Sequence, residues 1–107
     1  MREIVPFSQC TDIRLGGNRN MLDELIGEAV VIDLRSTFVC LGTLTKVTSE
    51  CLELRNADLH DLRDTETTRE YYVAASAATG IKRNRKKLLL MRADIVGVAR
   101  LKDVVEG

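Results

Sequence analysis

Between Lys82 and Arg92 the chain carries six cations and no acid: Lys82, Arg83, Arg85, Lys86, Lys87 and Arg92. Such a run can grip phosphate by charge, independently of base sequence and with a strong dependence on salt. It can equally be a solvated lead-in to a strand, where cations suppress aggregation. Residues 50–70 hold the opposite charge: Glu50, Glu53, Asp58, Asp61, Asp64, Glu66 and Glu70 against Arg55, Arg63 and Arg69. These acids can pair with the basic run of the same or a neighbouring copy, though an exposed pair contributes only about 0–1 kcal/mol. Tyr71 and Tyr72 can stack on a base, or pack a helix against its neighbours, the commoner use of such residues.

Asp58, His60 and Asp61 bring two carboxylates close to the single histidine. A metal centre would need further ligands and groups to orient them, so an exposed loop with incidental acids is the simpler reading. A lone histidine beside two acids is also a weak basis for general acid–base catalysis. There is no Ser/His/Asp arrangement, no phosphate-cradling glycine loop and no convergent carboxylate pair. The chain is read as a non-enzyme that needs no cofactor and no metal. Cys10, Cys40 and Cys51 are odd in number and lack CxxC spacing, which argues against a disulfide framework or a zinc site.

The chain has 107 residues, one domain by length, and a net charge of zero, so any nucleic-acid argument must rest on local charge. Hydrophobic residues make up 45% and aromatics only 4%, which implies an aliphatic core. A domain this small is stable by about 5–15 kcal/mol, and oligomerisation would add to that. The first residues lack the apolar region of a secretory signal, and no apolar run approaches the roughly 20 residues that cross a bilayer. A soluble, cytoplasmic protein is expected, with no membrane partner.

The elements that must position these groups start at residues 28–56, which read by twos as three strands. Val30, Ile32 and Leu34 alternate with Val31, Asp33 and Arg35; Ser36-Thr37 and residues 48–50 are polar breaks. Gly42, inside the long second run, marks a bend or a close backbone approach. Residues 1–17 are expected as an irregular arm, with a short strand possible at Ile4-Val5. Asn18 or Asn20 can cap a helix of about two turns whose stripe is Met21, Leu22, Leu25 and Ile26. Gly27 would end it. Residues 57–64 read as a polar connection. Residues 65–80 read as a second helix, with Thr67 and Glu70 as a capping box and Gly80 as its stop. Leu88-Leu89-Leu90-Met91 reads as a buried strand, residues 92–94 as a break, and residues 95–101 as the last strand.

The order of helix, three strands, connection and two strands resembles the Sm and Sm-like family. The likeness is carried by Gly27, Val31, Leu34, Gly42, Leu44 and Leu54, and by Met91-Arg92-Ala93 where the family typically has Ile-Arg-Gly, followed by Asp94 and Ile95. It covers residues 18–105. It implies a five-stranded bent antiparallel barrel of SH3-like type, mostly β with an N-terminal helix and an inserted helix between strands three and four. The domain would be residues 18–107. It also implies a homo-oligomeric ring of six or seven subunits, in which the fourth strand of one subunit pairs with the fifth of the next. Uridine-binding members carry an Asp, a stacking residue and an Asn in the loop after the second strand. Here those positions hold Thr48, Glu50 and Leu52, and only Arg92 of the usual pocket remains. The expectation is therefore an RNA chaperone or scaffold that grips the backbone through residues 82–87 and Arg92. The alternative is a protein–protein assembly module that keeps the ring without the usual RNA contacts.

Overall fold

The computed structural model describes residues 21–64 and 66–105. A 3-10 turn, Met21–Leu25, leads into β1 (Ala29–Leu34), β2 (Phe38–Val47) and β3 (Cys51–Asp61). A 3-10 turn at Leu62–Asp64 precedes α1 (Arg69–Thr79); β4 (Arg85–Met91), a 3-10 turn (Arg92–Asp94), β5 (Ile95–Arg100) and a last 3-10 turn (Leu101–Asp103) complete the chain. The strands form one antiparallel sheet in the order β4-β3-β2-β1-β5. Laid flat, its outer strands would sit about 19 Å apart. The link from Met91 to Ile95 reaches about 14 Å at full stretch. The sheet must therefore curl, and the result is the five-stranded bent barrel expected from the sequence.

Gly42 is where it bends. Leu41 pairs with Asp58 and Thr43 with Arg55, so Gly42 alone opposes both Asn56 and Ala57. Asn56 takes up the extra residue of this bulge in a left-handed conformation, φ 53°. The strand alternation then fills two cores. Val30, Ile32, Cys40, Leu44, Leu52, Leu54, Ala57 and Leu90 pack inside the barrel. Val31, Val39 and Leu41 face the other way and are covered by Val73 of α1 and by Leu101. Burying an aliphatic side chain of this size contributes about 1.5–3 kcal/mol, so the inserted helix is held by its own barrel rather than left projecting.

Several expectations are corrected. The two-turn N-terminal helix is a 3-10 turn of five residues; Leu22 and Leu25 pack against the inner core as the apolar stripe implied. The polar connection at residues 57–64 is mostly strand, because β3 runs on to Asp61. Asp58 is polar but buried, and its carboxylate is satisfied by donors described below, so polarity did not mark a loop there. The inserted helix starts at Arg69 and its cap is Thr68, not Thr67: the Thr68 side chain accepts from the Tyr71 N–H. β4 begins at Arg85, inside the basic run, rather than at Leu88. The arm at residues 1–17, the strand at Ile4-Val5 and the caps Asn18 and Asn20 lie outside the described residues, as does Cys10.

Candidate nucleic-acid interface

The basic run falls at the start of β4. Lys82 and Arg83 belong to the connection from α1, while Arg85, Lys86 and Lys87 are the first, exposed residues of the strand. Arg83 donates from Nη1 to Asn56 Oδ1 at 2.6 Å, and Arg85 to the backbone oxygen of Asn84 at 3.0 Å. Lys87 lies 3.4 Å from Glu53 Oε1. The Glu53 carboxyl is held below the usual carboxylate range, first by the Thr45 hydroxyl and then by Lys87. Among the described residues Lys82 and Lys86 make no ion pair. Apart from the Lys87 pair, then, the acidic stretch does not neutralise the run within one chain.

Arg92 is not part of this group. It sits just past the far end of β4, about 23 Å from Arg85 at the rise of an extended strand. There it joins turns. Its N–H donates to the Glu50 carbonyl at 2.9 Å and its Nη1 to the Thr48 carbonyl at 2.8 Å. Thr48 in turn uses its hydroxyl oxygen to accept from the N–H groups of Glu50 and Cys51. Arg35, placed by alternation with Val31 and Asp33 but given no role by the sequence, works on the other side: its Nε donates to the Ala93 carbonyl at 2.6 Å and its N–H to the Asp94 carbonyl at 2.8 Å. A charged residue after an alternating strand carries no signal of that use. Of the three positions in the uridine loop, Glu50 is exposed, Thr48 is committed to its own turn, and Leu52 is fully buried in the inner core. A buried leucine can neither stack on a base nor bond its edge.

The acid–histidine cluster is structural. Asp58 accepts from the Tyr72 hydroxyl on Oδ2 and from Asn84 Nδ2 on Oδ1, the latter at 3.0 Å. Burial, then that bond to Asp58, pushes the Tyr72 phenol well above its ordinary value. The Tyr72 ring stacks on His60, centroids 4.1 Å apart. Burial and then the nearby Asp58 charge push the Cys40 thiol up to about 12. Asp61 is instead bound by Arg63 and Thr37. Among the described residues no group of three or more His, Cys, Asp or Glu could hold a metal. Tyr72 is thus a packing residue, while Tyr71 is 69% exposed.

Among the described residues no strand pairs with the outer edge of β4 or of β5. On β4, Leu89 and Met91 are about half exposed, at 50% and 49%, and on β5 Val96 is 67% exposed. Beside β5 lies a groove of about 360 Å³, lined in part by Met21, Leu25, Val98 and Arg100. No helix among the described residues is long and apolar enough to cross a membrane.

No family model matches the chain, and no curated protein does. Among solved structures the chain is similar to an Sm-like protein (AF-Sm2) from Archaeoglobus fulgidus, with a TM-score of 0.52 and 14% sequence identity, over 83% of this chain and 97% of that one. The likeness is one of fold.

Proposed function

We propose that this chain is a subunit of a homo-oligomeric ring of six or seven copies, in which the free edge of β4 pairs with the free edge of β5 in the next copy. The observation that carries this is the pair of open edges, which between them expose Leu89, Met91 and Val96. Unpaired edges with apolar side chains invite indefinite aggregation, and a closed cyclic assembly removes them. The fold shared with an Sm-like protein supports the same reading. The ring is a non-enzymatic RNA scaffold or chaperone. The basic run at residues 82–87, repeated in every copy, contacts phosphate, and Arg92 shapes the turn rather than joining that grip. Labelled U-rich, A-rich and mixed-sequence RNA are titrated at two salt concentrations. Similar affinity for all three, falling steeply with salt, is expected; no binding at micromolar protein in low salt overturns the RNA assignment.

One observation favours a second reading, a ring that assembles proteins instead. Leu52 is buried and Glu50 presents a carboxylate where a stacking residue would be needed. A partner that remains at fixed stoichiometry after nuclease treatment, with no RNA affinity of the ring itself, would select it.

A further inference from the structure

The two free edges differ in charge as well as in place. β4 opens with Arg85, Lys86 and Lys87 and continues as Leu88–Met91. β5 opens with Ile95 and Val96 and ends at Arg100. Around that end stand three carboxylates, Glu24, Glu28 and Asp103, and two cations, Arg100 and Lys102. Glu28 and Asp103 share Arg100 at 3.8 Å each, a separation too long for a hydrogen bond. Glu24, exposed across the groove, has no ion-pair partner among the described residues. No described ion pair within the chain links the basic head of β4 to these acids, which lie along the opposite margin of the sheet.

We propose that Arg85 and Lys86 of one copy seat on Glu24, Glu28 and Asp103 of the next, locking an antiparallel β4–β5 seam. The occupant of the groove's acidic rim is thus a second copy of this chain. Charge and hydrophobicity select the direction together. Antiparallel pairing lays Leu88–Met91 against Ile95, Val96 and Val98, and brings the cations to the acidic end. Parallel pairing would set the cations beside Ile95 and Val96 and leave the acids facing leucines, which costs desolvation without compensation. Lys87, already held by Glu53, stays on its own subunit. This inference rests on the ring reading and narrows the phosphate contacts within the run to Lys82 and Arg83.

The test is light scattering on dilution series of four full-length chains: wild type, Arg85→Glu with Lys86→Glu, Glu24→Lys with Asp103→Lys, and the chain carrying all four changes. All four sites are on the surface or its margin, and circular dichroism checks that each chain folds. Each two-site variant is expected to dissociate at concentrations roughly tenfold or more above those at which the wild type begins to dissociate, since like charges now face each other across the seam. The four-site chain recovers assembly. Two-site variants that assemble as the wild type does, or a four-site chain no better than either, overturn the charged seam while leaving the ring. A wild type that is a single chain at low salt removes both.

Discussion

Arg92 donates from Nη1 to the Thr48 carbonyl oxygen across 2.8 Å, and so ties the turn after β4 to the turn after β2. The guanidinium is spent in part on backbone. Arg92→Ala should therefore lower stability, by about 1 kcal/mol for one charge-assisted bond near the surface. It should weaken RNA binding less than Lys82→Ala combined with Arg83→Ala. Urea unfolding and RNA titration check the two halves. A stable variant that has lost RNA affinity would make Arg92 a direct contact instead.

Gly42 meets Ala57 at the bend. A Cβ at Gly42 would stand 3.1 Å from the Ala57 Cα and Cβ and 3.2 Å from Leu54 Cδ2. Backbone cannot swing aside as a side-chain tip can. Gly42→Ala should cost about 1–3 kcal/mol by overpacking, read as a lower urea midpoint. An unchanged midpoint would mean that the bulge at Asn56 gives way easily.

The bend itself was legible in the sequence, because a glycine inside a β-branched run has few other uses. The first three strands were legible from alternation, and the turn at residues 92–94 from its polar composition, whereas β4, read from its continuous apolar run as buried, starts three residues earlier and leaves Leu89 and Met91 half exposed. The second half of β3 was not. Asp58 and His60 read as loop because Tyr72 lies 14 residues beyond Asp58 and 12 beyond His60, and Asn84 lies 26 beyond Asp58, and tertiary pairing of that kind has no local signature. The basic run was visible as charge, but its division from Arg92 was not, since it depends on how far β4 extends. The role of Arg35 had no signal at all.

The Tyr72 hydroxyl donates to a buried carboxylate, Asp58 Oδ2. In Tyr72→Phe the carboxylate keeps only the Asn84 bond. A loss of about 1–3 kcal/mol is expected for an incompletely satisfied buried acceptor, with faster amide exchange concentrated in α1. Exchange rising equally across β1 and β2 would show that the clasp supports the whole barrel rather than the inserted helix.

Asp61 is held below the usual carboxylate range by the Arg63 side chain, then by the Arg63 N–H and the Thr37 hydroxyl. A carboxyl whose folded value is depressed stabilises the fold above its ordinary value of 3.8, and that contribution is lost as the pH falls through the lower folded value. Asp61→Asn removes it at every pH. The urea midpoint of the wild type should therefore fall more steeply than that of Asp61→Asn between about pH 5 and pH 2. Parallel slopes would contradict the Arg63 pairing.

The most direct test is the molar mass of the wild-type chain by light scattering after gel filtration at micromolar concentration and low salt. If the edges of β4 and β5 close a ring as proposed, a single species at six or seven times the 12.0 kDa chain mass is expected. A homogeneous 12.0 kDa monomer that stays soluble would contradict it, because those edges would then need no partner.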